Sequence, residues 1–210
     1  MKGLAAPSTF IVVAAVVVIV VLASALVNFP THTGIPIPSG SDSASVMSVD
    51  GLRLSLQIST TSERQGGSVR INVTETNTNP TPVNQSAANK WAATGLRMDA
   101  CYASIYPFGV AVYPGHYTPQ NISSAKAVNL YPMVPCPLLI RYISGYYFEP
   151  SSNVAAVLPG TGPGVPMASG VVAAGNYTSG SSVSPFANGS YTVVAGDEWG
   201  SLVFLYFVVA

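Results

Sequence analysis

Residues 10–27 form an almost uninterrupted apolar run that follows a single cation, Lys2. A run of this kind belongs in a membrane or in a leader that guides a chain across one. We therefore expect an N-terminal hydrophobic helix, with the rest of the chain outside the cell. The expected organisation is a signal peptide or transmembrane segment at 1–25, an extended tail at 26–49 and a folded domain at 50–210.

Three interpretations of the run stay open. It can be a signal peptide that ends at the small residues Ala23 and Ala25, with cleavage after Ala25. It can be a retained anchor, since counted from Leu4 it reaches the roughly 20 residues of a spanning helix. It can also be a prepilin-like segment processed at Lys2-Gly3, with the helix kept as a filament core. In each case the chain meets the membrane only through this segment.

Charged residues are scarce and balanced. Asp, Glu, Lys and Arg make up 8% of the chain, against about 25% in ordinary soluble domains, and the formal net charge is zero. This composition gives no electrostatic basis for nucleic-acid binding. It suits an acidic exterior, because a surface of uncharged polar residues changes little when carboxylates are protonated.

Asn-x-Ser/Thr sequons are more frequent than chance predicts. About two are expected from 11 Asn and 39 Ser or Thr, and five are present. In an exported chain this excess predicts N-linked glycans, which would keep a charge-poor surface soluble. The five candidate acceptors are Asn72, Asn84, Asn121, Asn176 and Asn188.

The chain has two cysteines, Cys101 and Cys136. Outside the cell such a pair most often forms a disulfide. Closing a loop of this length would stabilise the fold by about 3–4 kcal/mol. Neither cysteine has a second Cys or a His at metal-ligand spacing, so no metal site is expected.

Alternating apolar and polar residues predict strands. Residues 52–58 and 69–75 alternate cleanly around the turn at 60–67, and the pattern turns Asn72 outward, where a glycan must lie. Further strands are expected at 102–106, 109–113, 138–144, 189–195 and 201–209, with short apolar pieces at 154–158 and 171–174 and a short helix at 86–92. Strand 201–209 is apolar on both faces, so it needs cover on both sides or borders a groove. The fold class is all-β, an immunoglobulin-like or pilin-like β-sandwich.

The segment 28–49 has the composition of a linker, with Pro30, Pro36 and Pro38 followed by Ser and Gly. Its apolar residues Phe29, Ile35 and Ile37 nevertheless stand at odd positions, which is the period of a strand. Prolines bar such a segment from the middle of a sheet but permit an edge strand or an added strand with gaps.

Nothing in the chain predicts an enzyme. The two histidines, His32 and His116, lie in predicted loops, and Asp197 and Glu198 stand next to each other in a predicted turn. No nucleophile elbow, phosphate loop, zinc motif or calcium loop occurs, and no cofactor is expected. The many tyrosines at 102–147 also suit a surface that binds a sugar or a protein.

The chain resembles the thread filament subunits of thermoacidophilic archaea. The resemblance rests on the leader with Ala23-Ser24-Ala25, on the sequon-rich and charge-poor β domain, and on the ending at 189–200. It implies an extracellular filament for surface attachment, in which the N-terminal tail of one copy completes the sheet of the next. The donor residues would be Leu26, Val27, Phe29, Ile35 and Ile37, although the prolines among them cannot all pair.

Two other functions are compatible with the sequence. One is a membrane-anchored extracellular glycoprotein that binds a sugar or a protein partner. The other is a type IV pilin-like subunit that keeps its N-terminal helix. The mature N-terminus separates them from the filament with a cleaved leader.

Overall fold

The computed structural model describes residues 42–101, 105–136, 142–160 and 163–210. These residues form an all-β fold, as predicted, and no helix among them is long and apolar enough to cross a membrane. Two single turns of 3₁₀ helix lie at Val49–Gly51 and Ile122–Ser124. The strands are β1 Asp42–Met47, β2 Leu52–Ile58, β3 Ser62–Glu63, β4 Val69–Asn77, β5 Val83–Ser86, β6 Phe108–Pro114, β7 Gly145–Phe148, β8 Val154–Leu158, β9 Val165–Pro166, β10 Ala168–Ala173, β11 Gly175–Ser179, β12 Ser182–Pro185, β13 Gly189–Asp197 and β14 Leu202–Val209.

Sheet A consists of four antiparallel strands in the order β1-β2-β4-β10. The alternation seen in the sequence sets its register. Leu52, Leu54, Leu56 and Ile58 of β2 are all buried, while Arg53 and Gln57 between them are exposed. In β4 the buried residues are again every second one, so the two strands present one apolar face.

Sheet B has the order β3-β14-β13-β6. β13 and β14 form a long hairpin, with Gly189 opposite Val209 at one end and Gly196 opposite Leu202 at the other. The turn is closed by Asp197, whose Oδ1 accepts the amide hydrogens of Trp199 at 3.0 Å and Ser201 at 2.8 Å. Gly200 fits this turn because its φ of +103° disfavours any other residue.

Sheets A and B pack face to face around a shared core. Strands β1 and β2 lie against β14, and β2 also lies against β13. Val203, Leu205, Phe207 and Val209 of β14 enter this core together with the buried side chains of β2 and β4. The arrangement is that of a β-sandwich.

A second apolar cluster covers the other face of sheet B. Ala93, Leu96, Ile122 and Ala125, which come from loops and a 3₁₀ turn, lie over Ala111, Tyr113 and Val194. Leu202 and Phe204 of β14 pack against the same cluster. The sequence predicted that this strand needs cover on both faces or borders a groove. In the structure β14 contacts an apolar cluster on each face.

Sheet C, in the order β5-β7-β8-β9, extends the first core through Val83, Phe148 and Ala155. Trp199 joins it to the β13–β14 turn, with its ring edge-on to Tyr146 at 5.9 Å and to Phe148 at 6.3 Å between centroids. A separate hairpin, β11–β12, completes the described strands.

The structure corrects several local predictions. Residues 87–92 are irregular and not helical, and Ser86, the first residue of the predicted helix, is the last residue of β5. Residues 105–106 and 142–144 are not strands, whereas 102–104 and 138–141 lie outside the described residues. Among the described residues, the sandwich includes β1, which pairs with β2 from Asp42 to Met47, within the segment expected as a tail. Only the small residues Ala44 and Val46 of β1 face the core, which explains the weak pattern.

Candidate functional site

One side of β14 offers backbone groups to a further strand. Its first edge pairs with β13 along the whole hairpin, but its second edge pairs with β3 only at Val208 and Val209. Within residues 42–210, as far as they are described, no other strand pairs along Leu202–Phe207. We call this stretch the open edge.

The direction of the backbone groups at the open edge follows from its neighbours. The amide hydrogens of Val208 and Ala210 point to the β3 side, where they are accepted by Thr61 O and Glu63 O, each at 3.0 Å. Because backbone direction alternates along a strand, the N–H and C=O groups of Leu202, Phe204 and Tyr206 point to the same side. An added strand would find a regular row of donors and acceptors there.

The sandwich core is thinly covered beside the open edge. β1 is the edge strand of sheet A and lies against β14. Its core-facing residues, Ala44 and Val46, are only half-buried, whereas the matching residues of β2 are fully buried. The open edge and β1 therefore frame a place where further apolar side chains could enter the core.

The outer face of the open edge is built from aromatic and polar contacts. Tyr206 stacks on His116, with ring centroids 4.3 Å apart, and donates its hydroxyl hydrogen to Tyr117 O at 3.0 Å. His116 therefore has a packing role, in the loop where the sequence placed it.

Carboxylates gather at the end of the sandwich near the β13–β14 turn. Asp197 is fully buried but well partnered, since Ser48 Oγ donates to its Oδ2 and Ser201 Oγ donates to Ser48 Oγ. Glu75 on β4 is also fully buried, and neither of its carboxylate oxygens has a hydrogen-bond partner within the described structure. Burial, and next to it the charge of Asp197, raises the pKa of Glu75 well above its ordinary value.

The predicted disulfide is confirmed. Cys101 and Cys136 are bonded, with Cα atoms 5.4 Å apart, so the bond closes the segment that contains β6 and part of the second apolar cluster, namely Ala111, Tyr113, Ile122 and Ala125. No free cysteine remains among the described residues, and no cluster of three or more metal-ligating side chains occurs there.

Four of the five sequon asparagines are exposed: Asn72, Asn84, Asn121 and Asn188. Asn72 faces outward from sheet A as predicted and lies opposite Gly170. A side chain at position 170 would clash with the side-chain amide of Asn72, and glycine avoids this clash. Asn176 is different, because it is half-buried and its Oδ1 accepts the amide hydrogen of Asn129 at 2.7 Å. Glycan attachment stays a prediction at all five.

The other predicted functional residues lie outside the described residues. These are the cleavage-site residues Ala23 and Ala25 and the donor-strand residues Leu26, Val27, Phe29, Ile35 and Ile37. Sequence reasoning missed Glu75, although it continues the inward-facing series Val69, Ile71 and Val73, and this spacing was the available signal. It also missed the open edge, which is a property of strand order.

Comparison with known proteins adds no relative. No protein-family model, curated protein or solved structure matches the chain.

Proposed function

We propose that the chain is a structural subunit of an extracellular filament, in which the N-terminal tail of one copy is added as a strand to the open edge of the next. The observation that carries this proposal is the open edge itself, next to a core that β1 covers only in part. In finer terms the fold would be a pilin-like, immunoglobulin-like sandwich that lacks one edge strand.

Strand addition suits this site for two physical reasons. The added backbone would pair with Leu202, Phe204 and Tyr206, and its alternate side chains would fill the core beside Ala44 and Val46. A contact between two different surfaces of identical subunits does not close on itself, so its repetition gives an open fibre. No catalytic step enters this function, and glycans at the exposed sequons would cover the fibre.

The prolines of the tail are compatible with such a strand. They all stand at even positions, whereas the apolar residues Phe29, Ile35 and Ile37 stand at odd ones. Backbone direction alternates, so a strand that pairs through its odd residues turns the prolines to its outer edge, where a missing N–H costs nothing. Parallel addition, the direction that β3 takes beside β14, also turns the odd side chains into the sandwich core.

The test places charges on the inner face of the tail. We expect Ile35→Asp and Ile37→Asp together to leave an exported, folded subunit that no longer polymerises, because the carboxylates cannot enter an apolar core. The matched control carries the same charges at His32 and Gly34, on the outer face, and should form filaments. Electron microscopy and light scattering on purified subunits measure the outcome.

Two results would contradict the proposal. Normal filaments from the Ile35 and Ile37 variant would exclude the tail as donor. An intact N-terminus, found by mass spectrometry in monomeric membrane fractions, would instead favour the membrane-anchored glycoprotein.

A further inference from the structure

A pocket of about 440 Å³ lies between the segment 87–98 and the start of β7. Its size is within the range of small-ligand sites in proteins. The floor is formed by the buried rings of Phe108 and Tyr146, and Leu96 and Met98 complete the apolar wall. This pocket is separate from the open edge, since no residue of Leu202–Phe207 lines it.

Aromatic side chains stand at the rim of the pocket. Trp91 is 39% exposed and Tyr142 is 77% exposed, so both offer ring faces to solvent. Tyr and Trp side chains are enriched at surfaces that bind other molecules. Asn89 adds an amide to the same lining.

Glu198 supplies a buried acceptor in the lining. Its side chain is only 4% exposed, and its Oε1 has no hydrogen-bond partner within the described structure. The backbone amides of Asn89 and Ala88 and the hydroxyl of Tyr146 interact with the carboxyl group, but burial outweighs them and raises the pKa of Glu198 to about 7. A ligand hydroxyl would satisfy the unpaired oxygen, whose burial without a partner is otherwise costly.

We propose that this pocket binds a sugar residue. Sugars combine an apolar C–H face, which stacks on aromatic rings, with hydroxyl groups that pair with carboxyl and amide side chains. Trp91 and Tyr142 provide the rings, and Glu198 and Asn89 provide the polar partners. The cation among the lining residues, Arg97, already donates to Asn129 Oδ1 and lies over the ring of Tyr131, so it is engaged within the fold.

The sugar does not come from Asn84, the sequon of sheet C in the same chain. Asn84 lies directly opposite Tyr147 in sheet C, and opposite residues share a face. Tyr146, which lines the pocket, is on the other face of the sheet. The test below distinguishes two sources, a glycan on another copy and a foreign saccharide.

The test uses the purified full-length chain and the methyl glycosides of glucose, mannose, galactose and N-acetylglucosamine, followed by ligand-observed NMR and calorimetry. At least one glycoside should bind, and Trp91→Ala, Tyr142→Ala and Glu198→Gln should each weaken it by about tenfold or more. Tyr147→Ala is the matched control on the opposite face and should bind as the parent does. Trp91 and Tyr142 are exposed, so their variants should fold, which circular dichroism verifies.

A second arm identifies the source of the sugar. If glycosylated copies associate and Trp91→Ala abolishes that association, the pocket takes the glycan of a neighbouring copy. If only the free glycosides bind, it takes foreign saccharides. Binding by none of the four glycosides, or equal binding by the Trp91, Tyr142 and Tyr147 variants, would overturn the proposal.

Discussion

Glu75 is a carboxyl group buried in the sandwich, at the end near Asp197. It follows Val69, Ile71 and Val73 on the inward face of β4 and precedes the buried Asn77, which is hydrogen-bonded, whereas the carboxyl group of Glu75 has no hydrogen-bond partner within the described structure. Because burial raises its pKa, the folded state binds its proton more tightly than the unfolded state does. Its contribution to stability is complete below the ordinary pKa of about 4.5 and is lost as the pH rises through the raised value.

We therefore expect the fold to be more stable in acid than near neutrality. Glu75→Leu should raise the free energy of unfolding at pH 7 by about 1–3 kcal/mol, because it removes a buried group without partners. At pH 3 the gain should be smaller, since Glu75 is then neutral in both states. Denaturant titrations at pH 3, 5 and 7 measure the difference.

An exposed carboxylate provides the control for this effect. Glu149 lies on the surface, so Glu149→Gln should leave the pH dependence of stability unchanged. Glu75→Gln removes the charge and keeps the shape, and it should flatten the profile as Glu75→Leu does. A parent protein whose stability rises steadily from pH 3 to pH 7 would contradict the assignment.

At the scale of elements, the sequence predicts best the strands with one buried face. β2 and β13 fall close to their expected bounds because apolar and polar residues alternate, or because an apolar run ends at a turn with Asp and Gly. β1 and β5 were not predicted, because their inward residues are few or small. β7 was not predicted as a separate strand, because the residues around it do not alternate between apolar and polar. Sheet order was not predictable, since pairs such as β4 with β10 are remote in sequence.

The candidate site was predictable only in part. The apolar residues on both faces of β14 predicted either a strand covered on both sides or a strand beside a groove. In the structure the second apolar cluster covers one face of β14, and one edge of β14 is the open edge. Which backbone groups stay available depends on where β3 ends, and a two-residue strand leaves no pattern in sequence. The pocket at Glu198 was equally hidden, because its lining comes from segments far apart in the chain.

The open edge can be tested by removing a single amide hydrogen. Phe204→Pro deletes the N–H that points to the open edge and leaves the pairing of its neighbours with β13 in place. We expect the variant to fold and to fail in polymerisation. Phe204→Ala loses the same side chain but keeps the N–H, so it should polymerise, and filament length seen by electron microscopy separates the two.

An equivalent proline on the other sheet controls for strand distortion. Val172 lies on the edge strand β10. The carbonyl oxygen of Met167 accepts the amide hydrogen of Glu75 on β4, so the backbone groups of odd-numbered residues in β10 point to β4. Because backbone direction alternates, the N–H of Val172 points away from the sheet. Val172→Pro should therefore leave both folding and polymerisation intact. If Val172→Pro and Phe204→Pro had the same effect on filaments, the open edge would have no special role.

The whole molecule combines a large apolar core with very few charges. The 210 residues include eight Lys or Arg and eight Asp or Glu. Three of the acidic residues are buried, namely Glu75, Asp197 and Glu198. The surface must therefore stay soluble through uncharged polar groups. The exposed sequon residues are spread over it, on sheet A at Asn72, on sheet C at Asn84, beside a 3₁₀ turn at Asn121 and before β13 at Asn188.

Glycans at these four positions would supply the solubility that charge does not. Replacing the four exposed asparagines with Gln should leave the circular dichroism spectrum unchanged, because none is buried. The variant should aggregate at a lower protein concentration than the glycosylated parent, which light scattering measures.

Asn176→Gln is the informative contrast. It moves the amide oxygen that accepts the Asn129 N–H by one methylene within a half-buried site, so it should lower the thermal midpoint without lowering solubility. Intact mass before and after the substitutions shows whether these sites carry glycans. A four-site variant as soluble as the glycosylated parent would show that polar side chains alone suffice.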